Sequence, residues 1–244
     1  MSPPQIARAE RLTGKQMAVT VPRMKQYSAF IFDMDGTLID NMPYHIQAWL
    51  ASFANLGIQM SEAEFHRRLS GKTNAETVRE VLGRDVTAVE IDRIAHNKEV
   101  QYRAIYAPQL REIAGLTAFL RQSLGVGMKT AVATSAGADN IRFVLDGLGL
   151  QEMFTAVVGA HDVQNGKPDP EIFLTTARRL QESPGACLVF EDSRAGIEAA
   201  RRAGMDVVVI NTALSAQEAM TFPHVIHSAA DYRNLAILLD GLSE

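Results

Sequence analysis

The sequence predicts an α/β chain: a parallel sheet with helices on both faces, interrupted early by an all-helical insert. Two observations carry this. First, short apolar runs at Ala29–Phe32, Thr130–Ala133, Ala156–Val158, Cys187–Phe190 and Val207–Ile210 alternate with amphipathic stretches such as Asn140–Leu150, Pro170–Leu180 and Ala195–Ala203. Strands of continuous apolar character are those buried on both faces, as in parallel sheets covered by crossover helices. Second, residues 41 to 107 contain no convincing β run. His45, Trp49, Phe53 and Leu56 fall at helical spacing on one mostly apolar face, and Phe65, Leu69, Val78, Val81 and Leu82 repeat the theme.

Taken in order, Phe30-Ile31-Phe32 ends the first strand, and the helical insert spans 41–107. The sheet-forming core, of Rossmann-like type, comprises 25–40 and resumes at 108–244. Gly204-Met205 sits where a helix stop belongs before the next strand. Residues 1–24 are mildly basic and lack the apolar stretch of a signal peptide, so they read as an extension.

A chain of 244 residues is long enough for one large domain carrying a smaller insert. Its 47% hydrophobic and 21% charged residues are the balance of an ordinary globular protein. The net charge of −4 lends no support to a nucleic-acid or membrane-surface partner. No apolar stretch approaches the roughly 20 residues of a membrane span. The single cysteine, Cys187, cannot form an internal disulfide, which fits a reducing cytoplasm, and its apolar neighbours mark a core thiol. A cytoplasmic monomer is the default expectation.

In an open parallel sheet, ligands bind outside the carboxyl ends of the strands. The residues just past each apolar run are therefore the candidates: Asp33 and Asp35, Thr134 and Ser135, Lys167 of "NGKPDP", then Glu191, Asp192 and Ser193. Singly, each has a plain reading as a helix cap, a turn acid or a solvated lysine. Jointly they place acid, hydroxyl, lysine and acid near one sheet edge. Several carboxylates in one crevice repel one another and resist desolvation, and a divalent cation resolves the conflict. Hard oxygen ligands favour Mg²⁺, which with Lys167 would attract the phosphate of a small phosphate ester. The Thr134 hydroxyl and nearby backbone N–H groups would hold the remaining oxygens.

These motifs, "FDMDGTLID", "ATS" at 133–135, Lys167-Pro168 and "FEDSRAGIEAARRAGM" from 190 to 205, together resemble the haloacid dehalogenase superfamily of phosphotransferases. The resemblance runs from about residue 27 to the C-terminus. It implies that Asp33 is a nucleophile forming an aspartyl-phosphate, that Asp35 is the general acid/base, and that Thr134, Ser135 and Lys167 hold the phosphoryl group. It also implies that Asp33, Asp35, Glu191 and Asp192 hold Mg²⁺. Asp35 points to phosphate-ester hydrolysis or phosphomutase chemistry, and the insert resembles the helical cap of one branch of the superfamily.

Within that branch the chain looks most like the β-phosphoglucomutases and their sugar-phosphatase relatives. "MPYHIQAW" is similar to the start of their cap, which would set His45 near the hinge facing the acids; a capping or core histidine stays open beside that reading. In "LSGKTNAETV", Asn74 stands where the mutases carry an arginine for the second phosphate, with Lys72 nearby, and Lys98 is a further candidate. Asn cannot make arginine's charged two-pronged grip. A phosphatase is therefore expected ahead of a mutase. A receiver-like signalling module would also use an acid, a hydroxyl and a lysine around Mg²⁺, but Asp35 and a closing cap favour turnover over a lasting phospho-Asp.

Overall fold

The computed structural model describes residues 27–69 and 72–239. The extension expected over 1–24 lies outside them.

The chain opens with β1 (Ala29–Phe32) and then leaves the sheet for the cap helices α1 (Met42–Asn55), α2 (Glu62–Leu69), α3 (Asn74–Leu82) and α4 (Ala88–Tyr106). It returns through α5 (Leu116–Gly125) to β2 (Lys129–Ala133), α6 (Ala138–Leu148) and β3 (Ala156–Val158). The second half runs α7 (Glu171–Leu180), β4 (Cys187–Glu191), α8 (Arg194–Arg202), β5 (Asp206–Ile210), the short α9 (Ala216–Ala219) and β6 (Val225–Ala229). Among the described residues six strands form one sheet in the order β3-β2-β1-β4-β5-β6, every pair parallel. The chain builds outward from β1 to β3, then crosses to β4 on the other side of β1. That reversal opens a crevice beyond the carboxyl end of β1.

The apolar run of β1 shows why it lies at the centre. Phe30 and Phe32 enter one core layer and Ala29 and Ile31 the opposite one, all fully buried. On the first side Phe32 stacks on Phe190 with ring centroids 4.5 Å apart, and Phe30 on Phe119 at 5.7 Å. The other layer is built from small and branched residues, among them Ala131, Val189, Ile197, Ala200 and Val207. The cap has a cluster of its own, Ile46, Trp49, Phe53, Phe65, Leu69, Val78, Ile91 and Ile94. Its helix α3 is started by a capping box in which Thr73 and Glu76 satisfy each other's backbone N–H groups.

Two differences from the sequence-based expectation have simple causes. β6 was not expected, because an edge strand reading Val-Ile-His-Ser-Ala is half-exposed and lacks a continuous apolar run. Glu191 was expected just beyond the fourth strand and is instead its last residue, fully buried. No helix among the described residues is long and apolar enough to cross a membrane.

Phe190 joins the aromatic stack under the crevice, so Phe190→Ala should cost about 3–5 kcal/mol of stability. Urea denaturation would read this as a lower midpoint at unchanged slope.

Candidate active site

Lys167, from the segment between β3 and α7, ties the crevice together. Its Nζ donates to Asp33 Oδ1 at 2.6 Å, to Glu191 Oε1 at 2.7 Å and to the Ala133 carbonyl at 3.2 Å. An ammonium has three N–H donors, and all three are used. The ends of β1, β2 and β4 are thus linked through one side chain that is only 7% exposed. Burial works against the charge of Lys167, but Asp33 and Glu191 outweigh it and hold the ammonium well above the usual lysine range.

Glu191 is braced from its other oxygen. Oε2 accepts from the backbone N–H of Asp192 at 2.8 Å and of Ser193 at 2.7 Å, and from the Ser193 hydroxyl at 2.9 Å. Ser193 also caps α8 by accepting from the N–H of Gly196. The first turn of α8 therefore presses directly on the glutamate. A Cβ on Gly196 would lie 1.7 Å from Glu191 Oε1, so no larger residue fits. Asp192 accepts from the Thr212 hydroxyl at 3.2 Å, and Thr212 also donates to the Gly36 carbonyl at 2.6 Å.

Asp33, Glu191 and Asp192 offer carboxylate oxygens that lie within 4.8 Å of one another. Burial raises the carboxyl of Asp33 above its usual range; Lys167 opposes this, while Glu191 and Asp35 reinforce it. Asp192 is raised likewise, first by burial and then by Glu191 and Asp33. Three acids sharing one lysine leave an uncompensated negative potential, and the hard oxygen donors suit a divalent cation such as Mg²⁺.

The Asp35 carboxylate does not join this cluster, because the chain turns sharply after Asp33. The N–H groups of Thr37, Leu38 and Ile39 all point at the Met34 carbonyl, and Gly36 adopts φ +82°, a conformation that favours glycine. A Cβ at Gly36 would also meet Asp192 Oδ2 at 2.0 Å. The turn aims Asp35 at the cap, where its Oδ1 accepts from Asn41 Nδ2 at 2.6 Å and lies 4.0 Å from His45 Nε2. Burial alone would raise Asp35, but His45, Asn41 and Lys98 outweigh it and hold the carboxyl below the usual range.

The remaining expected residues divide. Thr134 is buried at the end of β2, its hydroxyl accepting from the N–H of Ala136 at 3.1 Å, while Ser135 beside it is exposed. His45 lies 4.0 Å from both Asp35 and Glu99, stacked on Tyr102 at 3.8 Å between ring centroids and 2.7 Å from Lys98 Nζ. Lys72 is not brought to the acids: its ammonium pairs with Glu80 at 3.1 Å. Asn74 reaches toward Glu99 at 3.5 Å.

Asn41, Tyr102 and Glu99 were not anticipated. Asn41 precedes the Met-Pro start of α1, where sequence rules read a helix cap. It makes no such bond; its amide goes to Asp35 and, at 2.6 Å, to Tyr102 Oη. Tyr102 and Glu99 lie about sixty residues downstream, and helical spacing alone does not show that they meet the first loop.

Gly196→Ala should displace Glu191 and with it Lys167, removing most activity at little cost to the far edge of the sheet at β3; turnover and hydrogen exchange in β3 would show the contrast. Mg²⁺ should raise the melting temperature, and its affinity should rise with pH through the neutral range. The protons favoured on Asp33 and Asp192 must leave before the ion binds, so calorimetry at low and high pH should show weaker binding at the acid end.

Residues 30–210 match the family model described as haloacid dehalogenase-like hydrolase. The chain is 30% identical over 190 residues to the Escherichia coli fructose-1-phosphate phosphatase YqaB, covering 75% of this chain and 96% of that one. It is 32% identical over 187 residues to the β-phosphoglucomutase of Bacillus subtilis, covering 74% and 81%. The crystal structure of a family IA, variant 3 hydrolase from Entamoeba histolytica superposes with a TM-score of 0.79 at 25% identity, covering 84% of this chain and 93% of that one. With the acids, the lysine and the helical cap all in place, the chain belongs to the haloacid dehalogenase-like hydrolases and is an enzyme of their phosphatase type.

Proposed function

We propose that this protein is a Mg²⁺-dependent phosphatase that hydrolyses a small sugar phosphate through an aspartyl-phosphate on Asp33. The observation that carries the reading is the contrasting placement of its two aspartates: Asp33 in the lysine-bound acidic cluster, Asp35 turned to the cap. Asp33 would be ionised for attack by a cation held beside it, which offsets the burial that otherwise favours its proton, while Asp35, outside the cluster, is left free for proton transfer.

Lys167 occupies Oδ1 of Asp33, so attack on phosphorus falls to Oδ2. As the new P–O bond forms, the bond to the sugar oxygen breaks, and that oxygen takes a proton from Asp35. Asp35 then removes a proton from water, the water oxygen attacks phosphorus, and the bond to Asp33 breaks to release inorganic phosphate. The proton gained from water is the one delivered to the leaving oxygen of the next turnover, so the cycle balances. Asn41 and His45 orient Asp35 throughout. Asp33, Glu191 and Asp192 would hold the ion, whose charge would neutralise the crevice and draw a phosphate oxygen toward Asp33.

Relatives named as a fructose-1-phosphate phosphatase and as a phosphorylated-carbohydrate phosphatase support a sugar phosphate as substrate. A second reading, interconversion of hexose 1- and 6-phosphates, is favoured by the β-phosphoglucomutase relative. A mutase must retain a bisphosphate through a reorientation, and Asn74 offers no charge to hold it.

With a panel of sugar monophosphates and Mg²⁺, inorganic phosphate should appear in proportion to substrate consumed. Isomerisation of β-glucose 1-phosphate without phosphate release would establish the mutase instead. Asp33→Asn should lower turnover at least about a thousandfold, and near wild-type rates in that variant would eliminate the covalent route.

A further inference from the structure

A line of side chains leads from the catalytic acids into the cap and ends on a carboxylate. His45 stands 4.0 Å from Asp35, and its other ring nitrogen is 2.7 Å from Lys98 Nζ. Lys98 is almost fully buried and donates to Glu99 Oε1 at 2.9 Å. Glu99 then crosses the seam between cap and core. Its Oε2 accepts from Asn140 Nδ2 at 2.8 Å, on the first turn of α6, and its Oε1 lies 3.5 Å from Asn74 Nδ2 at the start of α3. One side chain thus meets α4, the cap loop and the core helix that follows Thr134 and Ser135. The organic part of an ester held at Asp33 would project between these elements.

Burial works against the charge on Glu99, but Lys98 and His45 outweigh it and keep its carboxyl below the usual range. Paired with Lys98, that carboxylate accepts hydrogen bonds from hydroxyls and leaves the lysine no charge to offer a second anion. The cations around it offer that anion little. Lys98 is paired with Glu99, Lys72 with Glu80 at 3.1 Å, and Arg103 donates to Asn140 Oδ1 at 2.7 Å with Asp139 3.9 Å away. A second phosphate entering the seam would have to break one of these pairs and lie beside an acid, both of which cost free energy in a partly buried site.

We propose that Glu99 determines the specificity of the crevice, admitting sugar or polyol monophosphates whose remaining end carries hydroxyls and excluding substrates with a second phosphate. The inference rests on the phosphatase reading and adds to it the character of the substrate's free end.

The test uses binding in an Asp33→Asn background with Mg²⁺, so that ligands are held without turnover. Calorimetry compares a hexose monophosphate with the corresponding 1,6-bisphosphate. The parent should bind the monophosphate at least about tenfold more tightly, and Glu99→Gln, which keeps the shape and an acceptor for Asn140, should shrink that ratio about tenfold. Glu99→Asp, which keeps the charge, should preserve it. Asn140→Ala cuts the same cap–core bond with the charge in place and should leave the ratio within about twofold. A ratio unmoved by Glu99→Gln, or moved equally by Asn140→Ala, overturns the proposal. Phosphate release from sugar monophosphates by the wild-type chain is measured separately. A chain that isomerises without releasing phosphate refutes the phosphatase reading, while the binding ratio still decides the role of Glu99.

Discussion

The Lys167 ammonium is the constraint on which the crevice depends. It reaches in from the loop after β3 and satisfies a carboxylate on each of the two central strands, at 2.6 and 2.7 Å. Neither Asp33 nor Glu191 could stay buried at the sheet's point of reversal without such a partner, since an unpaired charge in a dry site costs several kcal/mol. The pairing is incomplete by design of the charges: one lysine faces three acids, and Asp192 adds its own repulsion. Burial and mutual repulsion therefore favour protons on Asp33 and Asp192, and the hard oxygens that carry them suit a divalent cation.

The two aspartates of the first loop show how a local turn separates chemical roles. An extended strand would send residues two apart to the same side and set Asp33 and Asp35 against one another. Instead the backbone folds back on the Met34 carbonyl, with Gly36 at φ +82°, and one acid faces the core cluster while the other faces the cap. Gly36 and Gly196 are both fixed by carboxylates: a methyl group at either would collide with Asp192 or Glu191. The glycines are therefore part of the acid geometry as well as of the turns they occupy.

The core of this arrangement is legible in the sequence because its signals are local. Apolar runs mark β1, β2, β4 and β5, and the polar residues just beyond them mark the crevice, since the fold sends every parallel strand's carboxyl end to one edge. Resolving Asp35 from the metal-competent acids needed the turn geometry, which a two-residue spacing does not encode. Asn41 was hidden by its ordinary role as a cap residue, which its amide abandons for Asp35. Lys72 looked like a candidate for a second phosphate, yet Glu80, eight residues on across α3, takes its charge. Glu99 and Asn140 meet across forty-one residues of chain, a contact set by how the cap seats on the core.

That seating is itself divided. Ala48, Tyr102 and Tyr106, from the inner parts of α1 and α4, pack in the same cluster as Phe32, Phe119 and Phe190 of the core. Trp49, Phe53, Val78 and Ile94, toward the outer part of the cap, pack in a cluster of their own. The groups that orient Asp35, namely Asn41 and the His45 ring stacked on Tyr102, are thus anchored to the layer that fixes β1. The loop carrying Lys72 and Asn74 belongs to the separately packed outer part, and it reaches the core through Glu99 and Asn140. Substitutions in that outer cluster can therefore repack the cap without moving Asp33, Glu191 or Lys167. Helices inserted between two adjacent strands of one sheet gain this independence only because their apolar faces close on each other.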